Sequence, residues 1–247
     1  MNYESWLRAK GNKETTISIQ FRTLRSVYNK AIKRKCVGKE YYPFEDFHIN
    51  KFNVHTDKRA ISKNDVLKII SADLTGKSEY VKFSRDIFVF SYLCGGINFC
   101  DVASLTKENI LNGRLFYVRQ KTGKQINLCL TKNASAIIDK YYKGGKGFLF
   151  PILDVTRHIT ATQKENRLHK VLGQVDKSLK IIAQIAKVDV NLTTYVARHS
   201  YATVLKRSGV PTSIICESLG HSSERVTQIY LDSFENEQID EAMKNLL

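Results

Sequence analysis

Residues 198–230 read RHSYATVLKRSGVPTSIICESLGHSSERVTQIY, and this stretch decides the architecture of the carboxyl end of the chain. Apolar residues at helical spacing predict one helix over residues 193–208 and a second, shorter helix between Pro211 and Gly220. Proline suits the first position of a helix, and glycine suits the left-handed residue that ends one. The stretch therefore predicts short helices joined by tight turns.

His221 directly follows the glycine that ends the second helix, and Ser222 is a suitable N-cap for a third helix, which carries Tyr230. Arg198 lies on the first helix, and arginine and histidine both donate hydrogen bonds that suit phosphate oxygens. A tyrosine hydroxyl, with an ordinary pKa of about 10, attacks a phosphodiester only beside cationic donors or a base. Together these residues could support attack of a tyrosine on a DNA phosphorus.

The clearest strand pattern lies upstream, in residues 110–130. Ile110-Leu111, the turn dipeptide Asn112-Gly113 and the apolar run 115–119 predict a β-hairpin with a type I′ turn. A second turn, at residues 121–124, leads into a third strand. Helical patterns surround this meander at residues 62–70, 81–93, 132–143 and 163–186. The predicted fold class is mainly α with a small antiparallel three-stranded sheet (α+β).

A basic amphipathic helix is predicted over residues 14–35, with an apolar stripe from Ile17 to Ile32 and with Arg22 and Arg25 off that stripe. Residues 41–58 show weak periodicity and little apolar content, which is typical of a linker. We therefore expect a small helical domain over residues 1–55 and a second domain over residues 56–247.

The composition favours a polyanionic partner. The chain has 39 Lys+Arg against 24 Asp+Glu, a formal net charge of +15, and 43% hydrophobic residues, which is enough for a packed core. Nucleic acid is a better candidate than a membrane surface, although a basic surface could also serve solubility alone. There is no apolar stretch of about 20 residues and no signal-peptide pattern. The sequence thus predicts a protein of the cytoplasm.

Cofactor motifs are missing from the sequence. The five cysteines form no C-x-x-C pair, which favours reduced core residues over a disulfide or zinc framework. There is no H-E-x-x-H, no P-loop and no G-x-G-x-x-G. We therefore expect no metal and no nucleotide cofactor.

Three motifs of the opening stretch, RHSYAT (198–203), LGHSS (219–223) and TQIY (227–230), resemble in order and spacing the carboxyl-terminal signature of the tyrosine recombinases, the phage integrase family. The turn at residues 120–124 is similar to the β-hairpin lysine turn of that family, and GINFCDV (96–102) resembles its first box. The resemblance covers nearly the whole chain. It implies a tyrosine recombinase catalytic fold preceded by a partial helical core-binding domain that clamps DNA.

The resemblance implies a role for each matched residue. Tyr230 matches the nucleophile that forms a 3′-phosphotyrosyl link, and Arg198 matches an arginine that clamps the scissile phosphate. His221 matches the histidine that donates to the phosphate and assists the tyrosine. Lys121 matches the general acid for the 5′ hydroxyl. Because each step exchanges one phosphodiester for another, the family needs neither metal nor ATP.

Two positions depart from the family pattern. Asn98 stands where the first arginine is expected, and Tyr195 stands where the histidine of H-x-x-R usually lies. Arg85 is a possible substitute for the missing arginine. His199 either supports the core beneath Arg198 or touches substrate. Tyr195 either donates a hydrogen bond in the site or packs.

Each assignment has a structural alternative. Tyr230 could pack against Val226, Arg198 could be a surface arginine, His221 could be a polar cap residue, and Lys121 could be an ordinary turn lysine. Lys124, Arg22 and Arg25 are predicted to contact DNA phosphates.

The resemblance thus implies a site-specific recombinase, the integrase of a mobile element, that acts on duplex DNA as a homotetramer on paired sites, associated with a prokaryotic nucleoid. The tail at residues 234–247 could pack on its own body or exchange into a neighbouring protomer. The rival prediction is a catalytically impaired, recombinase-like DNA-binding regulator, which Asn98 and the short first domain favour. A type IB topoisomerase is a more distant alternative.

Overall fold

The computed structural model describes residues 2–54, 60–145 and 147–231, and of Ile229 and Tyr230 only the backbone. The chain divides into two units, Met1–Asp57 and Lys58–Leu247. The described residues are mostly helical with one small antiparallel sheet, so the predicted fold class is confirmed. No helix among the described residues is long and apolar enough to cross a membrane.

The first unit is built on two helices, α1 (Tyr3–Ala9) and α2 (Glu14–Lys33). Its core consists of Leu7, Ile17, Phe21, Ile49 and Phe52. The apolar stripe predicted for α2 is buried only in its first half, because the return segment, which includes a 3₁₀ turn at Ile49–Lys51, packs against α2 there. Further along the stripe, Leu24 is already exposed.

The second unit contains the remaining helices and the sheet. Its elements are α3 (Lys63–Ile70), α4 (Glu79–Leu93), α5 (Phe99–Ser104), β1 (Ile110–Leu111), β2 (Arg114–Val118), β3 (Gln125–Cys129), α6 (Lys132–Tyr141), α7 (Ala161–Ile185), α8 (Thr194–Arg207), α9 (Thr212–Leu219) and α10 (Glu224–Tyr230). Helix α4 lies at the centre and packs against α6, α7 and α8. Its Phe88 and Phe90 are fully buried, which places the main core around this helix.

The sheet has the predicted meander topology, in the order β1-β2-β3 with both pairs antiparallel. Asn112 and Gly113 both have positive φ, 49° and 71°, as a type I′ turn requires. In the register of β2 and β3, Leu115 pairs with Leu128 and Tyr117 with Ile126, so one face of the hairpin is buried.

At the starts of α9 and α10 the predicted roles of Pro211 and Ser222 are shifted by one residue. Pro211 is the N-cap of α9 and not its first helical residue, because its ψ of 142° is extended. Helix α10 begins after Ser223 and not after Ser222, because Ser223 is itself extended, and no side-chain hydrogen bond caps this helix. His221 nevertheless lies between α9 and α10, as predicted.

The chain leaves α4 through two glycines, and the second one packs against α8. Gly96 has a φ of +64°, and a Cβ built on it would lie 2.7 Å from the Cα of Arg198. Only glycine allows this approach, because any side chain would collide with the backbone of the neighbouring helix.

We predict that Gly96→Ala destabilises the protein more than Gly76→Ala, a matched control with a φ of +75° and no atom within 4 Å of the added Cβ. Both variants strain the backbone, but only the Cβ of Gly96→Ala collides with α8. The free energy of unfolding should therefore fall by roughly 1–3 kcal/mol more in Gly96→Ala than in Gly76→Ala. Urea denaturation of the two variants measures the difference. Equal losses would show that α8 moves aside at no cost.

Candidate active site

Arg198 is buried, with 2% of its surface exposed. Its Nη1 donates to the carbonyl oxygen of Gly96 at 2.9 Å, and its Nη2 donates to the carbonyl oxygen of Leu219. Gly96 follows α4, and Leu219 is the last residue of α9. The guanidinium therefore joins the ends of two helices, and the alternative that Arg198 is a surface residue is wrong.

The carbonyl groups of Leu219, Gly220 and His221, which we call the α9 carbonyl cluster, accept hydrogen bonds from cationic side chains. Arg119 Nη1 donates to Gly220 at 2.9 Å, and Lys124 Nζ donates to His221 at 2.8 Å. Carbonyls at the end of a helix lack helical partners and carry partial negative charge, so cations are favoured there. Arg198 of α8 and the two cations of the hairpin, Arg119 and Lys124, therefore all contact the carboxyl end of α9.

His221 lies near these cations and is 6% exposed. Its Nδ1 is 3.0 Å from the Oγ1 of Thr227 on α10. Burial, together with repulsion from the neighbouring cations, Arg198 foremost, lowers the pKa of His221 to about 4. The imidazole is therefore neutral at pH 7 and able to accept a proton.

The β2–β3 turn carries Lys121 on its exposed side. The turn is tied down at Gln120, whose backbone N–H donates to Asp101 Oδ1 at 3.1 Å, and at Thr122, whose hydroxyl donates to Gly220 at 3.3 Å. Lys121 is close enough to His221 to contribute to lowering its pKa. The structure thus brings Lys121 into the neighbourhood of Arg198 and His221.

Asp101, Arg119 and Thr227 are three buried residues of this region that the sequence analysis did not single out. Burial raises the pKa of Asp101, and its Oδ2 accepts no hydrogen bond from the described residues. Asp101 and Thr227 lie inside the quoted motifs, so those motifs were an available signal. For Arg119, the only signal in the sequence was its position beside the β2–β3 turn.

Tyr230 is the last residue of α10, three residues after Thr227, and its side chain lies outside the description. The next residue, Leu231, is buried, and its N–H donates to the carbonyl oxygen of Thr227 at 2.8 Å. Helix α10 packs on α9. The backbone of Tyr230 is therefore on the helix that contacts His221.

Asn98 and Tyr195 line one cavity of about 740 Å³ between α5, α7 and α8. Asn98 is partly buried at the start of α5 and makes no side-chain capping bond to that helix. The ring of Tyr195 is 51% exposed and meets the ring of His199 edge to face, at 4.7 Å between centroids. Tyr195 and His199 thus contact each other next to Arg198 on α8.

Arg85 is not brought to this region. Its Nη1 donates to the carbonyl oxygens of Ala72 at 3.2 Å and Ile70 at 3.5 Å, and its Nε bonds to Asp86. These contacts tie α4 to the end of α3. Among the described residues, no three His, Cys, Asp or Glu side chains are grouped so that they could hold a metal ion.

The predicted DNA contacts fall in two places. Lys124 belongs to the hairpin turn and, as described, donates to His221. Arg22 and Arg25 are exposed on α2 of the first unit, where they line a groove of about 340 Å³ with Lys30 and Lys33. The groove is therefore a concentration of positive charge within the first unit.

The lowered pKa of His221 predicts a pH dependence of folding stability. The unfolded chain protonates this imidazole below about pH 6.5, whereas the folded protein protonates it only near pH 4. The stabilisation is therefore complete above pH 6.5 and is lost as the pH falls toward 4. We expect the wild type to lose about 2 kcal/mol of unfolding free energy between pH 7 and pH 4.5 that His221→Gln does not lose.

Urea denaturation at the two pH values measures this difference. His169→Gln, which removes an exposed histidine of α7, is the control and should follow the wild type. If His221→Gln showed the same pH dependence as the wild type, the imidazole would not be held neutral by its surroundings.

The amino-acid sequence matches the models of two known protein families. The sequence model of the phage integrase family matches residues 59–237, and that of the phage integrase SAM-like domain matches residues 1–53. Tyrosine recombinase XerD of Halalkalibacterium halodurans is 23% identical over 241 residues, which are 93% of this chain and 75% of the relative. Tyrosine recombinase XerA of Pyrococcus horikoshii is 25% identical over 201 residues, which are 78% of this chain but only 65% of the relative.

Solved structures share the fold. The Tn1549 transposon integrase in complex with transposon right end DNA superposes with a TM-score of 0.67 at 16% identity, covering 98% of this chain and 82% of that one. A lambda integrase dimer bound to a COC′ core site gives 0.61 at 16% identity, covering 94% and 80%. Because one family model spans most of the sequence, the chain belongs to the phage integrase family of tyrosine recombinases.

Proposed function

We propose that this chain is a site-specific DNA recombinase that cuts and rejoins duplex DNA through a 3′-phosphotyrosyl intermediate. The observation that carries the proposal is the gathering of Arg198, Arg119 and Lys124 around His221, beside the helix that bears Tyr230. Such a group of donors suits the negative charge that builds on phosphate oxygens during attack at phosphorus.

The proposed reaction exchanges one ester bond for another. The Tyr230 oxygen attacks the scissile phosphorus and its proton passes to His221, while Arg198 binds the non-bridging oxygens. The bond from phosphorus to the 5′ oxygen breaks, and Lys121 gives that oxygen a proton. The number of phosphoester bonds is unchanged, so the reaction requires no ATP, and the cationic side chains stabilise the phosphate charge that a metal ion stabilises in other phosphoryl transfers.

We further propose that duplex DNA is the partner and that the protein acts as a homotetramer on paired sites of a mobile element. The net charge of +15 and the basic groove of the first unit, with Arg22 and Arg25, support DNA binding. The related Tn1549 and lambda integrases were solved bound to DNA. The tail proposed to exchange between protomers, residues 234–247, lies outside the described residues.

Covalent trapping tests the chemistry. We expect the wild type to form a detergent-resistant complex with members of a library of nicked duplexes that carry a randomised core, in the presence of EDTA and without nucleotide. Tyr230→Phe should form none, because it lacks the attacking oxygen. Tyr41→Phe, at an exposed tyrosine of the first unit, should match the wild type. A complex that survives in Tyr230→Phe would contradict the proposed nucleophile.

A catalytically impaired, DNA-binding regulator is the second candidate, and Asn98 favours it because an amide replaces an expected cation. The two candidates differ in their response to Asn98→Arg. For an enzyme that works with a weakened clamp, the added guanidinium should speed adduct formation by roughly a hundredfold, on the scale of one oxyanion donor. Adducts absent from both the wild type and Asn98→Arg, with DNA binding intact, would favour the regulator.

A further inference from the structure

We propose that Thr227 is a positioning residue that holds the neutral imidazole of His221 with its proton on Nδ1, so that Nε2 is the nitrogen that exchanges protons in the site. This inference rests on the proposed function for its catalytic consequence. Its structural part, the choice of tautomer, concerns two buried side chains and can be judged without DNA.

The contact between the two side chains is short and enclosed. Thr227 Oγ1 lies 3.0 Å from His221 Nδ1, and Thr227 has no exposed surface. The same hydroxyl is 3.5 Å from the carbonyl oxygen of Ser223, the N-cap of α10, to which it donates. The pair therefore forms a chain of polar groups from the imidazole to the start of the helix.

The number of hydrogen bonds that His221, Thr227 and Ser223 can form together differs between the two tautomers. A threonine hydroxyl has one proton to donate and lone pairs with which to accept. If that proton goes to Ser223, the hydroxyl oxygen accepts from Nδ1–H, and two hydrogen bonds form. If Nδ1 carries no proton, the hydroxyl must turn to it, and the bond to Ser223 is lost. Counted over Nδ1, the Thr227 hydroxyl and the Ser223 carbonyl, the Nδ1–H form thus has one hydrogen bond more.

Thr227 also links the imidazole to the position of the nucleophile. The threonine lies on α10 three residues before Tyr230, so the hydrogen bond fixes the ring relative to the helix that carries the tyrosine. With Nδ1 occupied, the proton of the attacking hydroxyl can go only to Nε2. The ring then becomes an imidazolium as the tyrosine oxygen bonds to phosphorus, and its Nε2–H is then a donor for a phosphate oxygen. Reversal of the same transfer would regenerate the hydroxyl during rejoining.

Histidine NMR and adduct kinetics on the full chain test the inference. In protein labelled with ¹³C and ¹⁵N at histidine, the His221 signals are identified by their loss in His221→Gln. We expect the wild type to show the Nδ1–H tautomer. Thr227→Val removes the hydroxyl at nearly constant volume, so it should lose this tautomer preference. It should also slow adduct formation on nicked duplex by roughly tenfold or more.

Two controls separate positioning from packing. Thr227→Ser keeps the hydroxyl and should retain the tautomer and most of the rate. Thr162→Val, which removes an exposed hydroxyl from α7, should leave both unchanged. An Nε2–H tautomer in the wild type, or an unaltered rate in Thr227→Val, would overturn the inference. If Thr227→Val does not fold, the wild-type tautomer and the Thr227→Ser rate still decide.

Failure of the proposed function would look different. In that case the wild type would form no adduct with any duplex, while the tautomer of His221 and its response to Thr227→Val would still be measured by NMR.

Discussion

The α9 carbonyl cluster is the interaction on which the candidate site depends. Three successive carbonyl oxygens at the end of a short helix need donors, and each receives one from a different cation: Arg198, Arg119 or Lys124. The two arginines are buried, and carbonyl dipoles make this possible where an unsolvated guanidinium would be costly. The helix end therefore sets the place at which positive charge collects.

Close backbone packing makes this convergence possible. Gly220 has a φ of +62°, and a Cβ there would meet Ile126 at 2.9 Å and Arg119 at 3.3 Å. Gly96 brings the turn after α4 equally close to Arg198. A larger residue at Gly96 would push α8 away, and one at Gly220 would displace the side chains of Ile126 and Arg119 that pack on the helix end. The positions of the cations thus follow from two places where the chain has no side chain.

Local signals explain how much of the fold could be predicted from the sequence. The meander is marked by Asn112-Gly113 and the α9–α10 junction by Gly220, because such turns need residues that accept positive φ. Helix α1 was missed because seven residues with one buried side chain give almost no periodicity. The start of α10 was misplaced because two adjacent serines are equally good caps by type.

The candidate site could be predicted only in part, for a different reason. Arg198, His221, Lys121 and Tyr230 were identified through motifs, and the structure brings the first three and the backbone of the fourth into one region. The contacts of Arg119 with Gly220 join residues 101 positions apart, and that of Asp101 with Gln120 joins separate elements. No periodicity or spacing reports such contacts. The catalytic roles themselves remain proposals.

The shared carbonyl cluster has a consequence for protein engineering. Arg119, Thr122 and Lys124 of the hairpin all bind the backbone of Gly220 and His221, so the two segments form one structural module although they are far apart in sequence. A chimaera that takes only the hairpin from a relative would pair new side chains with an old helix end. Grafts between members of this family should therefore carry residues 119–124 and 219–221 together.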